Sequence, residues 1–151
     1  MERSGKPRVT SLDHLVLTVT DIMTTRRFYE DVLGMESTSF EASDGMTRWA
    51  LRVGAQKINL HQAGREFSPK ARQAAPGTAD LCFLSDTAIA DWLSYLLAHG
   101  TAVETGPVPR MGATGPLTSI YLRDPDGNLI ELSNPACRVT PPGNAGSKNH
   151  F

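Results

Sequence analysis

With two cysteines in 151 residues, Cys82 and Cys137, the chain has no material for a disulfide framework. The first of them sits in the apolar run DLCFL, where we expect a small core residue. Net charge is also scarce: 15 basic residues against 16 acidic leave -1, which gives no general pull toward nucleic acid or an anionic membrane. No apolar run approaches the roughly 18–20 residues of a membrane span, and the opening MERSGKPRVT lacks the apolar segment of a secretory signal. The cytosol, a reducing compartment, is the expected location. A nucleotide-binding glycine fingerprint, a P-loop and a nucleophile elbow are missing as well.

What is present suits one domain with a substantial core, since 40% of the residues are hydrophobic. Residues 1–10 are polar and basic, and 135–151 are rich in Pro, Gly and small polar residues, so both ends are expected to be flexible. Between them, DHLVLTVTD reads as a strand with apolar residues at both parities, and hence buried on both faces. Asp21 is placed to cap a helix carrying Ile22, Phe28, Tyr29, Val32 and Leu33, and Gly34 to end it. Strands are expected around Met35–Glu41, Thr47–Val53 and Gln56–Gln62.

The order then returns. DLCFLSD is a strand, Asp86 or Thr87 is placed to cap a helix carrying Ile89, Trp92, Leu93, Leu96 and Leu97, and Gly100 ends it. TAVETGPV, TSIYLRD and NLIELSN follow as strands. The repeat holds in register: His14 and Asp80, Tyr29 and Tyr95, and Gly34 and Gly100 are each 66 residues apart. Later the offset is 72, pairing Asn59 with Glu131. Each copy reads βαβββ, and two such modules, 11–62 and 78–134, are too small to stand alone. The expectation is an α+β domain, 11–134, in which two βαβββ modules in tandem form a cupped mixed sheet.

A pseudo-twofold relation between the modules brings His14, Asp80 and Glu131 toward one concave face, with either Asn59 or His61 from the last strand of the first module, since both lie on one side of that strand. Imidazole and carboxylate together are what Zn, Fe, Mn or Ni sites use. Each residue also has a plainer reading: His14 as a hydrogen-bonded strand-start histidine, Glu131 as a solvent-facing strand residue, Asp80 as a turn residue, His61 as a surface histidine. His99 and His150, at a helix end and in the tail, are set aside. Phe28, Tyr29, Trp92 and Tyr95 are expected in the core. DPDGN at 124–128 is a turn signal. The segment AGREFSPKARQAAPG, with Arg65, Lys70 and Arg72, reads as a solvated linker. TGPVPRMGATGP, carrying Arg110 and Met111, reads as a loop able to close over a site and touch substrate.

The stretches DHLVLTVTDIMTTRRFYEDVLGM and IYLRDPDGNLIELSN resemble the vicinal oxygen chelate superfamily, which includes glyoxalase I, fosfomycin- and bleomycin-resistance proteins and extradiol dioxygenases. GAQKINLHQ, PGTADLCF and GATGPLTSIYLRDPDGNLIEL are similar to its glyoxalase domain-containing protein 5 type. The resemblance implies a metal site in which His14 and Glu131 fall on the first and last ligand positions and Asp80 on a position where many members have histidine. Asn59 falls where glyoxalase I has an acidic ligand or base, a departure from that enzyme; His61 is the alternative donor, and Asn59 is then a substrate contact.

The function implied is metal-dependent lyase, isomerase or transferase chemistry on a small oxygen-chelating substrate, with Glu131 as ligand or general base and a divalent Zn, Ni, Mn or Fe ion as cofactor. Two alternatives stand beside it: a non-enzymatic small-molecule binding domain, and an Fe(II) dioxygenase. A homodimer is the expected assembly.

Overall fold

The computed structural model describes residues 5–136; Cys137, His150 and most of the expected C-terminal tail lie outside them. The first module comprises β1 (His14–Val19), α1 (Ile22–Arg27) continued by a π-helical turn (Phe28–Val32), β2 (Glu36–Glu41), β3 (Thr47–Val53) and β4 (Gln56–Gln62). The second comprises β5 (Asp80–Leu84), α2 (Ile89–Ala98), β6 (Thr105–Met111), β7 (Pro116–Arg123) and β8 (Leu129–Pro135). Each forms a four-stranded sheet, in the orders β1-β4-β3-β2 and β5-β8-β7-β6. The β1/β4 and β5/β8 pairs are parallel and the other pairs antiparallel. This is the expected α+β arrangement of tandem βαβββ modules around a cupped mixed sheet.

Strand alternation decides which side chains make the core. Leu17, Val19, Leu51, Ile58 and Leu60 of the first module, and Ile120, Leu122, Ile130 and Leu132 of the second, are buried at one parity. With Tyr29, Leu33, Ile89 and Leu96 they form one continuous cluster. Each fully buried aliphatic side chain contributes roughly 1.5–3 kcal/mol. Phe28, Trp92 and Tyr95 pack against this cluster, as expected.

The opposite parity is the face away from the helices, and there two expectations change. Val16 is 45% exposed, so the first half of β1 is open on this face, while Thr18 further along the same face is buried. Cys82 is exposed rather than a core residue, because its neighbours Leu81 and Phe83 take the core parity of β5.

The repeat also explains how the modules hold each other. Tyr29 donates across to Asp124 Oδ2 at 2.8 Å, and its counterpart Tyr95 donates back to the Asp31 carbonyl at 2.5 Å. Asp124 Oδ1 accepts the backbone N–H groups of Asp126 and Asn128, and Oδ2 also accepts Asn128 Nδ2. The DPDGN turn therefore shapes a hairpin and anchors the other module at once.

Asp21 caps α1 through the Thr24 N–H at 2.7 Å. The start of α2 is different: neither Asp86 nor Thr87 caps it, and the Ile89 N–H donates instead to Asn134 Oδ1 at 2.8 Å. An amide from the distant β8 has taken the local cap's place. The segment 105–116 is not a free loop either. It is the β6–β7 hairpin, with a tip at 112–115, and Pro107 and Pro109 are accommodated because β6 is an edge strand.

Candidate functional site

Two inner edges, β1 and β5, meet along a seam. His14 and Leu15 share a cleft of about 470 Å³ with Leu81, Cys82, Phe83 and Leu84. Val16, Leu17 and Thr18 share another, of about 370 Å³, with Thr78 and Ala79. The start of β1 thus faces the end of β5 and the reverse, so the edges run antiparallel. Matched residues at the two strand starts, His14 and Asp80, are thereby displaced from each other along the seam.

Register places the remaining donors. His14 pairs with Lys57, Val16 with Asn59 and Thr18 with His61. His61 is thus four residues along from His14's register, about 13 Å at the rise of a strand, and it lines the cleft of Val16 and Thr18 rather than that of His14. Asn59 is two residues along. Asp80 pairs with Leu129 and Cys82 with Glu131, so Asp80 and Glu131 share a face with the same two-residue offset. The candidate residues come as two equivalent pairs, His14 with Asn59 and Asp80 with Glu131, rather than as a set of four. Among the described residues, no three His, Cys, Asp or Glu side chains of one chain are grouped closely enough to hold a metal ion.

The chemistry of each pair is well defined. His14 Nδ1 lies 2.7 Å from Asp13 Oδ1, which leaves Nε2 as the outward nitrogen. Asn59 Oδ1 is buried without a hydrogen-bond partner, an acceptor awaiting a donor or a cation. Glu131 Oε2 accepts from Ser119 Oγ at 2.7 Å and Ser133 Oγ at 3.1 Å. Ser119 and Ser133 also lie 2.7 Å apart, and Cys82 Sγ is 3.3 Å from Ser133 Oγ. Burial pushes the Glu131 carboxyl upward, but hydrogen bonds from Ser119, Tyr121, Ser133 and Cys82 outweigh it and hold the group below the usual glutamate range. The same neighbourhood raises the Cys82 thiol, first through burial and then through the Glu131 charge. Cys82 is therefore a thiol at neutral pH and a poor nucleophile.

Glu131 opens onto a cleft of about 640 Å³ lined by Cys82, Leu84, Leu117, Pro135 and the hairpin tip from Met111 to Pro116. Met111, 78% exposed, stands at its rim. Arg110 does not line this cleft; its Nε donates to the Tyr121 hydroxyl at 2.9 Å, and Tyr121 stands opposite Glu131 across β7 and β8 and helps lower its pKa. Ser119, Tyr121 and Ser133 were not singled out from the sequence. Their signal was there, as polar residues at even spacing around Glu131 in otherwise apolar strands, and it gains meaning only once β7 and β8 are paired, with Tyr121 opposite Glu131 and Ser119 opposite Ser133.

Residues 11–132 match the model of the Glyoxalase/Bleomycin resistance protein/Dioxygenase superfamily. The chain belongs to this superfamily. This glyoxalase-superfamily chain is 57% identical over 122 residues to Virulence protein STM3117 of Salmonella typhimurium, covering 81% of the chain and 82% of the relative. It is 54% identical over 126 residues to Glyoxalase domain-containing protein RDO1 of Mycosarcoma maydis, covering 83% and 69%. The crystal structure of Virulence protein STM3117 superposes with a TM-score of 0.80, covering 86% of the chain and all of that structure. A protein from the mobile metagenome of V. Pseudocholerae does so with a TM-score of 0.82 at 52% identity, covering 88% and 100%. No helix among the described residues is long and apolar enough to cross a membrane.

Proposed function

We propose that this superfamily member is a metal-dependent lyase, isomerase or transferase acting on a small molecule with adjacent oxygens, and that two copies of the chain complete its centre. The observation that carries the reading is Glu131: a carboxylate kept ionised by hydroxyl donors, facing a cleft of about 640 Å³. Asp80 and Glu131 of one copy and His14 of the other are the donors we assign to the ion, with Asn59 Oδ1 as a further oxygen. These groups fit such an ion chemically, and one chain supplies them in pairs, which is why a second copy enters the proposal. A divalent ion held there supplies a Lewis acid for vicinal substrate oxygens.

The chain's own residues set the rest. Both serine hydroxyls serve Glu131 Oε2, so Oε1 is the oxygen with lone pairs to spare. Asn59, an amide, cannot take a carbon-bound proton, and we assign the base role to Glu131, whose Oε1 takes no serine donor. Apolar side chains left open on the faces away from the helices, Phe40 and Leu84, at 47% and 64% exposure, favour pairing of those faces between copies.

Elemental mass spectrometry on untagged protein, combined with light scattering for mass, tests this. Near-stoichiometric metal in a dimer, lost in both Glu131→Ala and His14→Ala, is the expected result. Absence of metal after loading with Zn, Mn, Ni and Fe overturns the enzyme reading in favour of a small-molecule binding domain. Retention of iron alone moves the reading to a dioxygenase.

A further inference from the structure

The connection between the modules, residues 63–79, has no regular secondary structure, yet it is held at several points. Phe67 packs edge-on against His61, with ring centres 5.1 Å apart, and the Arg48 guanidinium lies over the same Phe67 ring. Glu66 accepts the Gly64 N–H at 3.1 Å. At the far end, Thr78 Oγ1 donates to the Ala75 carbonyl and the Ala79 N–H to Asn128 Oδ1. A long connection fixed in this way is more than a tether.

Beneath it lies the cavity of about 370 Å³, within the range that small-molecule sites occupy. Val16, Pro69, Ala71 and Ala74 give it an apolar wall, while Thr18, His61, Lys70 and Gln73 give it a polar one. The polar wall is rich in donors. Lys70 has Glu66 as its acidic neighbour at 3.6 Å, longer than the about 2.7–2.9 Å of a charge-assisted hydrogen bond. The His61 ring nitrogens make no hydrogen bond among the described residues. The other charges close to His61 are Arg48, already bonded to Asp44 at 2.7 Å, and Glu66.

We propose that this cavity is a second binding site, separate from the Glu131 cleft, and that it takes a small monocarboxylate with an apolar body. The carboxylate accepts from Lys70 and His61, and the body lies along Val16, Pro69 and the alanines. The connecting segment is then half of a ligand pocket. The assignment does not rest on the metal reading, because His61 is none of the donors proposed for the ion.

The test is nuclear magnetic resonance of the histidine side chains, with hexanoate as probe and hexanamide as its uncharged counterpart. Protein is first dialysed against a chelator, so that no metal-bound carboxylate produces the signal. His14, His99 and His150 serve as internal references. We expect hexanoate to shift the His61 ring signals saturably, with Lys70→Met weakening it about tenfold, the scale of one charge-assisted hydrogen bond. Ala74→Trp, which fills the cavity from the connecting segment and leaves the sheets alone, should abolish the shift while thermal unfolding stays cooperative. No saturable shift at His61, equal binding of hexanamide, or undiminished binding in a folded Ala74→Trp variant would each overturn the proposal.

Discussion

Glu131 keeps its charge because hydroxyl groups on β7 and on its own strand donate to it. Two serine protons serve three short contacts, Ser119 to Glu131, Ser133 to Glu131 and Ser119 to Ser133, so one of the three has no proton at any moment. Ser119 is fully buried, and replacing it with alanine removes the shortest donor. Ser119→Ala should therefore raise the Glu131 pKa toward its ordinary value and cost roughly 1–3 kcal/mol; a carbon-detected carboxyl titration and a urea unfolding curve read the two effects. The sign of the pH dependence follows from the lowered folded-state pKa. Glu131 contributes stability that is complete above the unfolded glutamate value of about 4.3 and is lost as pH falls through the lower folded value. Glu131→Gln should flatten that acid limb, seen as a smaller loss of unfolding free energy between neutral and acid pH. At His61 the pKa is lowered by burial and then by Arg48, with Glu66 opposing.

At the scale of elements, the modules are joined by hydrogen bonds that the repeat sets up in both directions. Tyr29 is fully buried, and its hydroxyl reaches Asp124 from across the module boundary; burial first, and then Asp124, push its phenol far above the ordinary range. Tyr29→Phe should cost roughly 1–3 kcal/mol, measured by chemical denaturation, with the larger effect expected on the exchange protection of the 124–128 turn. Gly77 closes the connecting segment with φ +76°, and a Cβ there would lie 2.6 Å from the Asp126 carbonyl oxygen. Gly77→Ala should destabilise the protein by roughly 1–2 kcal/mol for the left-handed backbone alone, with the clash against backbone adding to it; thermal unfolding measures the sum. The β6–β7 hairpin shows how an element can be misread from composition. Glycines and prolines suggested a loop, but an edge strand needs fewer donors from its backbone, so a proline-bearing segment could still pair through Val108, Pro109 and Arg110.

For the whole molecule, the antiparallel seam between β1 and β5 is decisive. It displaces equivalent residues of the two modules from each other along the seam, so a single chain presents its metal-type donors as pairs. If two copies unite those pairs, mass by light scattering should be twice the chain mass, and Leu84→Asp, placing a charge on an exposed apolar face, should shift the protein toward monomer and lower metal content together. Loss of metal without loss of the dimer would separate ligation from assembly.

Much of this was legible in the sequence, because it depends on local periodicity. The 66-residue repeat, the Asp21 cap, the glycines at 34 and 100 with φ of +70° and +69°, and the burial parity of β4 and β8 all follow from residues close together in the chain. What the sequence left open was distance between elements. His61 and Asn59 look interchangeable on one strand until the pairing of β1 with β4 sets His61 about 13 Å from His14's register. Asn134 capping α2, Ser119 and Tyr121 supporting Glu131, and the cavity between His61 and Lys70 all join residues from separate elements, and only packing brings those together. Local chemistry determined which groups the chain offers; the seam between the modules decided which of them meet.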